Sequence, residues 1–65
     1  MKKVQLIYEG YRAELYRYAK DWVVDFIDLP GCIGAGETVF EAFEEASINR
    51  KLWIEVADKI GKIYK

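Results

Sequence analysis

Three carboxylates, Asp21, Asp25 and Asp28, lie close together in the sequence. Acidic side chains that converge on two ions about 4 Å apart carry out metal-assisted phosphoryl chemistry. Here the spacing works against convergence. Successive side chains on a strand alternate faces, which sends Asp25 and Asp28 to opposite sides. The chain contains no His, so it offers neither a Ser–His or Cys–His pair nor a Cys/His metal set. Its single cysteine, Cys32, has no basic neighbour in sequence and reads as a small buried residue. The segment Gly31-x-x-Gly34-x-Gly36 precedes a helix, and such loops can bind anions. Its spacing is neither a Walker A nor a dinucleotide fingerprint, and Glu37 would repel phosphate. The expectation is a chain with no catalytic residues, no metal and no cofactor.

Bulk properties narrow the class further. Sixty-five residues make one small domain. A chain of this length buries only about 60% of the surface its unfolded form exposes. Ordering costs about 1.5 kcal/mol per residue, nearly what so small a core returns. One Cys forms no internal disulfide, so self-association into a dimer or tetramer is the expected staple. Hydrophobic residues make up 52% and charged residues 32% of the chain, as in a folded globular protein. Ten basic and eleven acidic residues leave a net charge of −1. That balance gives no field for nucleic acid and suits a basic protein partner better. Met1-Lys2-Lys3 leads into no long apolar run, so the expectation is a cytoplasmic protein without signal peptide or membrane span.

The elements that must position these residues follow from periodicity. Val4–Tyr8 starts a strand, Glu9-Gly10 interrupts it as a bulge or tight bend, and Tyr11–Tyr18 resumes it. Tyr11, Ala13 and Leu15 share one face; Arg12, Glu14 and Tyr16 share the other. Ala19-Lys20-Asp21 is a polar break of hairpin length. Residues 22–29 form the next strand, with Trp22, Val24 and Phe26 toward the core and Val23, Asp25 and Ile27 away from it. The chain then spends its only Pro, its only Cys and three of its five Gly before residue 37. Pro30 and Gly31 turn it, and Gly34 and Gly36 let a short third strand, residues 32–36, lie close to a helix.

Thr38-Val39-Phe40-Glu41 is a capping box: the Thr hydroxyl takes a backbone N–H three residues on, and Glu41 reaches back. The helix spans residues 38–60, with Gly61 as its stop beside Lys59 and Lys62. At 100° per residue, Val39, Ala42, Phe43, Ala46, Trp53, Val56, Ala57 and Ile60 fall in one arc that faces the sheet. Arg50 lies inside this arc, either reaching past the core edge or paired with a carboxylate such as Asp28. Ile48 and Leu52 lie four apart on the opposite, charged face. Flanked by Glu45 and Glu55, they form one candidate interface. Tyr16, Tyr18 and Ile27 form a second. The fold expected is α+β: a three-stranded antiparallel meander with one long helix on one face, and a possible short fourth strand at the C-terminus.

The order Asp28-Leu29-Pro30-Gly31-Cys32, Gly36-Glu37-Thr38, Glu41-Ala42, then Leu52-Trp53-Ile54 resembles the HicB antitoxins over residues 8–61. The resemblance implies a partial RNase H-like fold. It also implies a role in neutralising HicA toxins, which are small basic ribonucleases, by direct contact. Many HicB proteins carry a C-terminal DNA-binding domain; the expectation here is a short form without it. On this reading Asp25, Asp28, Glu45 and Glu55 oppose the basic partner, while apolar groups hold it. The alternatives are an orphan homo-oligomer with a structural or regulatory role and, least favoured, a residual RNase H-like nuclease. The cap gives the first expected outcome: Thr38→Ala lowers unfolding stability by about 1 kcal/mol, measured by urea denaturation.

Overall fold

The computed structural model describes residues 2–63. Four strands precede one helix: β1 (Val4–Tyr8), β2 (Tyr11–Tyr18), β3 (Asp21–Phe26), β4 (Ile33–Gly36) and α1 (Val39–Ile63). The strands pair antiparallel in the order β1-β2-β3-β4. The class is α+β, a meander followed by a helix, with one strand more than periodicity suggested. The difference lies at Glu9-Gly10. Both residues have positive φ, 51° and 87°, as in a two-residue hairpin turn whose twist matches that of its strands. Tyr8 therefore pairs with Tyr11 and Val4 with Leu15, and the expected single interrupted strand folds back on itself. Ala19 takes positive φ in the second hairpin turn, where Tyr18 pairs with Asp21.

The third connection explains the crowd of special residues. β3 ends at Phe26, three residues earlier than expected, and the chain folds into a compact turn. The Leu29 N–H donates to the Phe26 carbonyl at 3.3 Å, the Cys32 N–H to the Leu29 carbonyl at 2.9 Å, and the Phe26 N–H to the Cys32 carbonyl at 3.0 Å. Gly31 sits at φ 84°, where a Cβ would be strained. The turn drives Leu29 and Cys32 into the core. Two side chains of α1 tie it down. The Trp53 indole donates to the Pro30 carbonyl at 2.9 Å, and the Asn49 amide to the Ile33 carbonyl at 2.7 Å.

Alternation along the paired strands sorts residues as expected. Ala13, Val24 and Phe26 are buried on the inner face, with Leu6, Leu15 and Trp22 packed around them. The Tyr8 ring packs tilted against that of Phe43, with centroids 4.7 Å apart. The helix lies over β4 and β3, and small residues set its distance. A Cβ on Gly34 would stand 2.3 Å from the Ala46 nitrogen and 2.7 Å from the Ala42 carbonyl oxygen. Ala42 and Ala46 are themselves fully buried.

At its start α1 is capped as read. The Glu41 N–H donates to Thr38 Oγ1 at 3.1 Å. The return contact differs in its partner: the Glu41 carboxylate accepts from the Thr38 hydroxyl, also at 3.1 Å, rather than from a backbone N–H. At its other end two expectations are corrected. Gly61 does not stop the helix, which runs on to Ile63. A Cβ on Gly61 would meet nothing within 4 Å beyond its own turn of helix, and its φ is not positive. The expected C-terminal edge strand would have begun at Ile63, which is helical; Tyr64 and Lys65 lie outside the described residues.

The apolar arc is also corrected. Val39, Ala42, Phe43, Ala46 and Trp53 meet the sheet or its margin, but Val56 and Ile60 are about half exposed and Ala57 is exposed too. A 25-residue helix is about 37 Å long, much longer than the strands beneath it. The molecule measures 40 × 19 × 18 Å, and the last turns of α1 run out beyond the sheet. Arg50 departs from the pairing considered with Asp28. Its Nε donates to Glu9 Oε1 at 2.9 Å, and its guanidinium lies 6.0 Å from the centre of the Tyr11 ring. The middle of the helix is thereby fastened to the β1–β2 turn.

These contacts set opposite expectations for two glycines. Gly34→Ala forces backbone against backbone and lowers stability by about 3 kcal/mol or more. Gly61→Ala, in a helical position with open space around it, raises stability by up to about 1 kcal/mol. Thermal and urea unfolding followed by circular dichroism read both.

Candidate protein interface

The outer face of the sheet carries no helix. Strand pairing places Gln5 beside Glu14, Glu14 beside Asp25 and Asp25 beside Ile33, across all four strands. Glu14 and Asp25 are thus cross-strand neighbours of like charge, an arrangement that destabilises a sheet. No ion-pair partner faces either among the described residues. Ile7, Ile27 and Ile33 surround them with exposures of 68%, 40% and 44%. Ile7, Ile27 and Arg12 share one shallow cleft. Toward the other end of the face Tyr16 lies under the Lys3 ammonium, 4.7 Å from the ring centre, and beside buried Val23.

The sequence-derived residues fall into separate places. Tyr16 and Tyr18 stand at the end of β2 next to the second hairpin turn, with Tyr18 exposed. Ile27 sits level with Arg12, to whose carbonyl its N–H donates at 2.9 Å. Four strand positions, about 13 Å, separate it from the level of Tyr16, so these three residues are the two ends of one face rather than a cluster. Asp25 lies at the centre of that face.

Asp28 is not available to a partner in the way the sequence suggested. Its Oδ1 accepts from Arg12 Nη2 at 2.6 Å and from Nε at 2.8 Å, and its Oδ2 accepts from the Arg12 backbone N–H at 2.9 Å. The alternation that set it opposite Asp25 ends with β3 at Phe26. The Arg12 side chain and backbone hold the Asp28 carboxyl below the usual carboxylate range. Hydrogen bonds from Ser47 and then Arg50 do the same for Glu9.

The helix presents two further apolar surfaces, and Ile48 and Leu52 divide between them. Ile48 lies with Tyr8, Phe40 and Phe43 in one groove, rimmed by Glu44 and Lys51. Leu52 lies with Ile33, Trp53, Val56 and Ile60 in another. Glu45 and Glu55 are exposed on the helix, and Glu55 pairs with Lys59 at 3.5 Å.

Sequence reasoning placed Glu14 on this face without marking its charge pairing, and passed over Ile7, Ile33 and Phe40. Reading Glu9-Gly10 as a hairpin turn would have placed Ile7 beside Arg12 and on the outer face. Phe40, 74% exposed, lies 100° from Val39 and outside the apolar arc, a signal that was present.

Among the described residues no group of three or more potential metal ligands converges. Cys32 is buried, and burial pushes its thiol up, away from the reactive thiolate. Among the described residues no helix is long and apolar enough to cross a membrane. Comparison with family models, with curated proteins and with solved structures returns no match.

The two lowered carboxyls fix a pH dependence. The unfolded chain takes up these protons at higher pH than the folded chain does. Their stabilisation is complete above the ordinary carboxylate range and is lost as pH falls through it and below. Asp28→Asn is expected to flatten the acid limb of the stability–pH curve, read by urea midpoints from neutral to acid pH.

Proposed function

We propose that this chain is an antitoxin-like binding module that neutralises a small basic HicA-type ribonuclease by covering its surface. The observation that carries this reading is the Glu14–Asp25 pair, two like charges set side by side at the centre of a sheet face that no helix covers. Such a pair costs stability in the isolated chain. It is offset when a cation from a partner sits between the two carboxylates. Ile7, Ile27 and Ile33 around it supply apolar contact area. Acidic groups of this kind speed encounter with a basic protein, and the apolar groups slow its departure.

The HicB-like order of residues, from Asp28-Leu29-Pro30-Gly31-Cys32 through Glu41-Ala42 to Leu52-Trp53-Ile54, supports the same role, and a cytoplasmic setting goes with it. Asp28, which the sequence offered to a basic partner, is engaged within the fold, as is Arg50. Recognition therefore falls to Glu14 and Asp25 in place of Asp28. A homo-oligomer without a toxin is the second reading, favoured by the uncovered end of α1.

The test is co-expression with a HicA-type ribonuclease. The chain restores growth and co-purifies with the toxin; Glu14→Lys with Asp25→Lys abolishes both while the circular dichroism spectrum is kept. Failure of the unaltered chain to bind any such ribonuclease overturns the proposal.

A further inference from the structure

The free end of α1 is a different surface from the acidic sheet face. Leu52, Val56 and Ile60 recur every four residues, each about half exposed. The open groove they line has a volume of ≈ 620 Å³ and, among the described residues, no charged side chain in its walls. Its one side-chain amide, on Asn49, is already bonded to the Ile33 carbonyl. A basic partner finds nothing here to pair with its charge. A surface of the same apolar kind does.

Two quantities bear on what would cover it. The chain exposes 4861 Å², whereas a compact monomer of 7.6 kDa exposes ~4300 Å². The excess, roughly 560 Å², is about two-thirds of the ~800 Å² that a stable partner buries on each side. The interior is correspondingly thin: Phe26 and Val24 are the largest fully buried side chains. A chain of this size with so small a core gains stability from association.

We infer that a second copy of this chain covers the strip, with the two α1 helices packed antiparallel about a two-fold axis at Val56. In that arrangement Val56 meets Val56, and Leu52 of each copy meets Ile60 of the other. A two-fold interface needs a self-complementary patch, and a strip with equal four-residue arms on either side of Val56 is one. Antiparallel packing also opposes the two helix dipoles. The inference is independent of the toxin reading, since it concerns the isolated chain and a different face.

Sedimentation equilibrium of the full chain tests it. The expected mass is twice 7.6 kDa, and Val56→Glu yields a monomer with unchanged secondary structure. Glu14→Lys with Asp25→Lys leaves the dimer intact. Should Val56→Glu fail to fold, oxidative cross-linking decides: Val56→Cys links two copies and Ile48→Cys does not. A monomeric wild type, a dimer indifferent to Val56→Glu, a dimer lost on reversing the sheet-face charges, or cross-linking at Ile48 instead of Val56 each overturns the inference.

Discussion

The close approach of α1 to β4 is the constraint from which the other features follow. Gly34 has no room for a Cβ because the backbone of Ala42 and Ala46 occupies that space. With a glycine below and two alanines above, the helix settles against the β4 side of the sheet instead of over its centre. Its far flank then comes down on Tyr8 and Tyr11 through Phe43 and Arg50. The inner ends of β1 and β2 are left thinly covered, and Val4 is 56% exposed despite facing inward. A larger side chain at Gly34 would change all of these relations together.

The position of the helix also settles what the turn at residues 27–32 is for. Its Pro and Gly read in sequence as a turn, and its Cys as a small buried residue. In the fold the turn closes one end of the core with Leu29 and Cys32 and offers its carbonyls to Trp53 and Asn49. Each such bond contributes about 1 kcal/mol, and each depends on the helix standing where Gly34 allows it. The Ile33 carbonyl, on the open edge of β4, thereby gains a partner.

Charges separate into those the fold uses and those it leaves outside. Arg12–Asp28 braces the β3–β4 turn against β2, and Arg50–Glu9 joins the helix to the first hairpin. Glu14 and Asp25 are instead set side by side without a compensating cation among the described residues. The outer sheet face is therefore acidic at its centre, with isoleucines, Arg12 and Lys3 around it, while Leu52, Val56 and Ile60 on α1 form an apolar strip.

Alternation and helical periodicity, which depend only on neighbours along the chain, were legible: the inner set Ala13, Leu15, Trp22, Val24 and Phe26, the Thr38 cap, and the meander-then-helix order. So was the need for glycine where strand and helix meet. The break at Glu9-Gly10 was visible, but bend and hairpin look alike until one knows whether Tyr8 finds Tyr11 across the turn. Tertiary structure alone decided how far the sheet extends beneath the helix, and hence that Val56 and Ile60 stay outside while Trp53 does not. It alone chose Glu9 over Asp28 for Arg50, and Arg12 for Asp28, because ion pairs between residues distant in sequence form only after the backbone has brought them together. The glycine-to-alanine contact at Gly34 fixes that backbone geometry, and no local pattern in the chain encodes its distance.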